Sequence, residues 1–256
     1  MLRWAGVPAA RLGLRMRVPH DASKLCPVIW HPVLPRISAR GVSWQSSRAA
    51  ASALLRAAGG EGPASDGNPR VVVAISGKRK TGKDYFYDLL MKRLDSGLVE
   101  TRRLATPTKT HFSKLYGVDL ATLETPGPEK EKFRAEFYVH ELEQRAKDPF
   151  VFARVVLQDV QSPILVISDL RQMGDYRYLQ RYYADRLVLI RLDASEALRE
   201  TRGYSFAPGV DDSAVECDLD RDRIAVPWTL HWENDGDDSK WPGRLEQVME
   251  KIAPYR

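Results

Sequence analysis

Val71-Val-Val-Ala-Ile-Ser-Gly-Lys-Arg-Lys-Thr-Gly-Lys-Asp84 is a β-branched apolar run that passes directly into Gly-x-x-x-x-Gly-Lys. The pattern predicts a buried strand, a glycine turn and a helix, in that order. Gly77 and Gly82 free the backbone to curl into a nest of N–H donors. The helix that follows, with Tyr85, Leu89, Leu90 and Leu94 as its apolar positions, turns its positive end toward the nest, and Lys83 adds a full charge. Such an assembly binds the phosphates of a nucleoside triphosphate, and the expected ligands are ATP and Mg²⁺. The bland alternative is a glycine turn with solvated lysines.

Two features narrow that reading. Position 84 is Asp where Ser or Thr ordinarily ligates Mg²⁺; a carboxylate can take the metal directly, or hold Lys83 or a metal-bound water. The variable positions Lys78, Arg79 and Lys80 are all cationic around Thr81. That much positive charge suits a second phosphorylated ligand meeting ATP at the same loop.

Outward from the loop, Val99–Leu104 reads as a second strand, followed by a helix near His111–Tyr116 and a turn at Thr125-Pro-Gly-Pro128. A helical run from about Lys130 to Gln144 comes next, and Asp148-Pro149 supplies an N-cap and first-turn proline for another helix. Pro163–Asp169 and Arg186–Leu192 are continuous apolar runs suited to strands buried on both faces, and Pro227–Trp232 is a weaker one. Strands alternating with helices predict a doubly wound parallel α/β sheet flanked by helices, with ligands at the carboxyl ends of the strands. Those ends carry Gly77, Asp169-Leu-Arg171, Asp193 and Asn234-Asp-Gly236. Asp169 is placed to hold hydrated Mg²⁺ together with Asp84, or else to cap a helix or pair with Arg171.

Charge divides the chain. Met1–Arg70 carries 10 Lys plus Arg against 3 Asp plus Glu, whereas Val71–Arg256 carries 29 against 31. The basic balance therefore belongs to the leader, and nucleic-acid binding by the remainder is not indicated. The expected division is a disordered or targeting leader over 1–69 and a catalytic domain over 70–256. No apolar stretch reaches membrane-spanning length. Cys26 and Cys217 form neither a zinc spacing nor a disulfide framework, which points to a reducing compartment. The expected location is the cytoplasm, with an organelle as the alternative if the leader is a transit peptide. The expected partner is a small-molecule substrate acting on a monomer, with neither nucleic acid nor membrane involved.

Lys109, Lys130, Arg134, Arg145, Arg154 and Arg171 form a candidate clamp for a polyanion, although each taken singly is more often a solvated charge. Lys130 and Arg134 stand four apart on one helix face. Arg199 and Arg202 precede a glycine- and proline-punctuated segment, Gly203–Asp212, that suits a lid over the phosphates or an ordinary surface loop.

Ser76–Asp84, Ile167-Ser-Asp-Leu-Arg171 and Arg202-Gly-Tyr-Ser-Phe-Ala-Pro-Gly-Val-Asp-Asp212 together resemble the animal-type phosphomevalonate kinases, P-loop enzymes built on a nucleoside-monophosphate-kinase-like fold with a lid. The resemblance covers Val71 to the C-terminus and none of the leader. It implies transfer of the ATP γ-phosphoryl group to (R)-5-phosphomevalonate for isoprenoid and sterol synthesis. By position it implies that Gly77, Lys78–Asp84, Arg202 and Asp235 contact the nucleotide. It further implies that Lys109, Lys130, Arg134, Arg145, Arg154, Arg171 and Asn234 face the acceptor, and that Arg79, Lys80, Lys83, Asp84 and Arg171 serve catalysis. Gln172 and Asp235 stand where the family commonly has Arg and His. The competing readings are a nucleoside monophosphate kinase and a non-enzymatic P-loop regulator.

Overall fold

The computed structural model describes residues 69–125, 127–220 and 226–255; the expected leader lies outside them apart from Pro69. Five parallel strands, β1 (Val71–Ser76), β2 (Val99–Arg102), β3 (Ile164–Leu170), β4 (Leu187–Asp193) and β5 (Leu230–Glu233), pair in the order β2-β3-β1-β4-β5. β1 is central because all six of its residues are buried, which only a strand covered on both faces tolerates. Its register sets Val72 against Leu165 on one side and against Leu187 on the other.

Alternation along the strands distributes their side chains between two layers. Val72, Ala74, Leu165, Ile167 and Leu189 pack under α5 (Val151–Val156) and α6 (Met173–Tyr183). Val71, Val73, Ile75, Val166 and Ile190 pack under α1 (Lys83–Arg93) and α9 (Trp241–Ile252), which contribute Phe86, Leu90, Leu245, Val248 and Ile252. Burying each of the Val, Leu, Ile and Phe side chains among these contributes about 1.5–3 kcal/mol. A third cluster, Phe112, Leu123, Phe137, Tyr138 and Val215, joins α2 (Thr106–Tyr116), α3 (Leu120–Glu124), α4 (Pro128–Lys147) and α8 (Ala214–Cys217) beside the sheet. The short α7 (Glu196–Thr201) follows β4.

The doubly wound parallel sheet is the expected one, with shifted boundaries. β2 stops at Arg102 because the amides of Leu104 and Ala105 leave the ladder and donate to Asp169 at 2.7 and 3.0 Å. The helix expected near His111 already begins at Thr106, with Pro107 in its first turn. Asp148 does accept from the Phe150 amide at 2.9 Å, but it also closes α4, so α5 starts only at Val151.

Candidate active site

The turn between β1 and α1 lies at the carboxyl edge of the sheet. Gly82 adopts φ 97° and Lys80 φ 64°, left-handed kinks on either side of Thr81 that curl the backbone around its own amides. A methyl group at Gly82 would lie 2.5 Å from Asn234 Nδ2, and one at Gly77 2.7 Å from the Leu192 carbonyl, so both positions require glycine. The turn is tied from beneath. Asn234 Nδ2 donates to the Thr81 carbonyl (2.9 Å), Arg199 Nε to that of Arg79 (2.8 Å) and Arg202 to that of Lys80 (3.2 Å), while the Thr81 hydroxyl donates to Lys78 (3.0 Å). No side chain caps α1, so its first amides face the cradle. The residues present thus fit a phosphate ligand.

Lys83, the first residue of α1, is buried, with Asp84 at 3.6 Å. Burial, then the neighbouring Arg171, lowers its pKa to about 8, while Asp84 and Asp169 pull it back up. An ammonium held in that state gains sharply from an added anion. Asp84 is largely exposed beside it. Asp169 already accepts two backbone amides, one on each oxygen. Among the described residues no group of three or more His, Cys, Asp or Glu gathers around a metal. Two carboxylates nevertheless fit Mg²⁺, which keeps several waters and takes the rest of its ligands from phosphates.

Beside Lys83 opens a cavity of about 400 Å³ between β3, α1, α2 and α4. Lys109, Lys130, Arg134, Arg145 and Arg171 line it, together with Asp169, Gln172 and Glu141. The face of α4 explains this gathering, because positions 130, 134, 137, 138, 141 and 145 recur at three- and four-residue spacing. Burial, then Lys109, Arg134 and Arg171, lowers the pKa of Lys130 to about 8. Arg134 is held by Glu131, which keeps it firmly cationic. A larger groove of about 980 Å³ lies at the β2 edge and shares Tyr87, Arg103 and Glu124 with this cavity, but it lacks Lys83 and the clamp.

Several expected site residues stand elsewhere. Arg154 is outside the cavity, paired with Asp148 at 3.1 Å. Arg145 lines it, yet its guanidinium is engaged by buried Asp175 through contacts of 2.9 and 2.7 Å and lies over the Phe152 ring. Asn234 is buried under the loop and does not line the cavity. Asp235 is exposed and paired with Lys240. Arg145 stands at helical spacing on α4, but its acidic partner Asp175 comes from α6, which local pattern cannot reveal.

Sequence reading gave no role to Asp211 of the Gly203–Asp212 segment or to the acids that follow it. Asp211 holds Arg79 at 2.9 Å and accepts from the Ala207 amide, and Asp220 holds Lys78 at 2.7 Å. Buried Glu216 joins Arg171 to the Tyr138 hydroxyl, and Gln172 donates to the Ala214 carbonyl at 3.0 Å. Asp211 of the Gly203–Asp212 segment therefore rests on the loop, and the segment that follows it rests on both the loop and the cavity. The alternation of Asp211, Glu216, Asp218 and Asp220 opposite a cationic rim was the available signal.

A sequence model of the phosphomevalonate kinase family matches residues 75–185. The phosphomevalonate kinase of Drosophila melanogaster is 38% identical over 154 residues, a match covering 58% of this chain and 81% of that protein. Among solved structures, a gluconokinase from Sinorhizobium meliloti 1021 (TM-score 0.38, 12% identity, 73% of this chain and 93% of that one) resembles the chain distantly. So does a shikimate kinase from Bacteroides thetaiotaomicron (TM-score 0.38, 12% identity, 72% and 98%).

Proposed function

The chain belongs to the phosphomevalonate kinase family, and on that premise we propose how its rim carries out the phosphotransfer. The protein moves the γ-phosphoryl group of ATP onto the phosphate of (R)-5-phosphomevalonate, yielding 5-diphosphomevalonate and ADP in the mevalonate pathway. The observation that carries the site assignment is the continuity of the glycine cradle and buried Lys83 with a cavity lined by Lys109, Lys130, Arg134 and Arg171.

The backbone from Gly77 to Lys83 holds the triphosphate, and Arg202, anchored on the Lys80 carbonyl, adds a cation at its edge. Asp84 and Asp169 would hold Mg²⁺ through its waters, and the ion supplies charge neutralisation between the phosphates. Lys109, Lys130, Arg134 and Arg171 grip the acceptor. A phosphate monoester has a second pKa of about 6, so the attacking oxygen is already ionised and no general base is required. The barrier is the mutual repulsion of two anions. Arg171 stands close enough to Lys83 to lower its pKa, and bringing anions between the two relieves that repulsion. Arg79 and Lys80, at the mouth of the cradle, add to the field, and Arg79 reaches it by exchanging Asp211 for phosphate.

The lid closes over the reaction and excludes water. The acting unit is a monomer using ATP and Mg²⁺ in the cytoplasm, and its product feeds isoprenoid and sterol synthesis; a targeting role for the basic leader would place it in an organelle. Residues 70–256 form the kinase domain and 1–69 the leader. No described helix is long and apolar enough to cross a membrane. An ADP-release assay comparing phosphomevalonate with a panel of nucleoside monophosphates tests the assignment. Turnover confined to phosphomevalonate is expected, and preference for a nucleotide, or no turnover with any acceptor, overturns it.

A further inference from the structure

Glu141 does not fit a cavity built to hold anions. It lies on the inner face of α4, lines the cavity between Arg134 and Arg145, and is only 8% exposed. Among the described residues it has no hydrogen bond or ion pair, although cations are close. Arg145 is engaged by Asp175, Arg171 by Glu216 and Arg134 by Glu131. Asp169 and Asp175 repel its charge while Arg145 and Arg171 attract it, and burial dominates, raising its pKa to about 7. A buried carboxyl group without a partner is costly in any fold. It is tolerated where a ligand completes it.

Given the acceptor proposed above, the ligand's own chemistry identifies what Glu141 meets. Phosphomevalonate presents a phosphate and a carboxylate, which offer only hydrogen-bond acceptors once ionised, and a single tertiary hydroxyl group, which is its one donor. Ionised, Glu141 facing either anion would oppose the clamp; protonated, it could donate to one of them, an arrangement indifferent to the hydroxyl, which the comparison with a deoxy acceptor tells apart. Facing the hydroxyl, it accepts a hydrogen bond that the surrounding cations cannot make. We propose that Glu141 is a specificity-determining residue that accepts a hydrogen bond from the tertiary hydroxyl of the acceptor, so that the cavity selects a hydroxylated phospho-acid over its deoxy counterpart.

A site built to hydrogen-bond a substrate hydroxyl rejects an analogue lacking it far more strongly than an apolar pocket rejects an extra group, because the site's polar atom is left unpaired. The test compares kcat/KM for phosphomevalonate and for 5-phospho-3-methylpentanoate, its deoxy analogue, in the full-length protein and in Glu141→Gln and Glu141→Ala. The unaltered protein should prefer the hydroxylated acceptor by about a hundredfold or more. Glu141→Ala should bring that ratio close to one, chiefly by losing activity on phosphomevalonate, with KM for ATP unchanged. Glu141→Gln keeps a carbonyl acceptor and should retain part of the preference. Equal use of both acceptors by the unaltered protein overturns the proposal, as does a ratio that survives in both variants. Either result leaves phosphomevalonate kinase activity standing, whereas absence of turnover with phosphomevalonate itself would remove the parent reading instead. The first comparison needs no variant, so a misfolded Glu141→Ala does not block the test.

Discussion

Lys83 and Arg145 are both cations at the same cavity, yet their surroundings assign them opposite work. Lys83 is buried with little compensation and its charge is held in waiting, so the contact it makes is expected to strengthen as charge develops in the transition state. Lys83→Met should lower kcat on the order of a hundredfold or more while the thermal unfolding midpoint stays near that of the parent; near-normal kcat in the folded variant would take Lys83 out of the mechanism. Arg145 already has its anion in Asp175, which is fully enclosed. Removing one partner of a buried pair leaves an uncompensated charge and typically costs about 3–5 kcal/mol. Arg145→Ala should therefore lower the urea midpoint by a corresponding amount. A stable variant with a raised KM for phosphomevalonate would restore the substrate role that its sequence spacing suggests.

α4 presents Lys130, Arg134, Glu141 and Arg145 to the cavity on one face, while Phe137 and Tyr138, which also line it, anchor the helix against Phe112 and Val215. Its cations line the cavity beside Lys83 and make no contact with the carbonyls of the glycine turn, so Lys130→Ala and Arg134→Ala should each raise KM for phosphomevalonate about tenfold to a hundredfold, the loss of about 1.5–3 kcal/mol for a charge-assisted contact, with KM for ATP little changed. Equal losses for both substrates would mark the helix as support for the fold. Lys130 also confers a pH dependence. Its pKa is lowered to about 8 by burial and by Lys109, Arg134, Arg171 and Arg103, so the free protein loses this charge as pH rises through 8. The sign is a fall in acceptor kcat/KM on the alkaline side. Arginine remains charged throughout, so the wild-type profile divided by that of Lys130→Arg should fall with a midpoint near 8 and cancel the contribution of Lys83; a flat quotient would show that Lys130 does not titrate in this range.

At the scale of the whole molecule, every rim residue named above belongs to the segment that begins at β1, and the basic leader lies outside the described residues apart from Pro69. Deleting Met1–Gly67 should leave kcat/KM for both substrates unchanged, as steady-state assays of the truncated chain would register; a large fall would give the leader a part in the site. The glycine cradle, the strand–turn–helix around it and the parallel sheet were legible from local pattern, because a buried strand must be apolar throughout and a phosphate nest must place glycine at fixed offsets. The same holds for α4, whose charged face follows from helical periodicity. Pairing between distant segments has no such signature. Nothing near Arg145 announces Asp175, nothing near Thr81 announces Asn234, and Asp211, Glu216 and Asp220 meet their cations only when the chain between α7 and β5 returns across the rim. The sequence by itself determined the fold class, the phosphate cradle and the excess of cations around it. Only the tertiary structure decided which of those cations remain available to a substrate, because the charge of a side chain is written in its residue type whereas its partner is set by the packing of elements far apart in the chain.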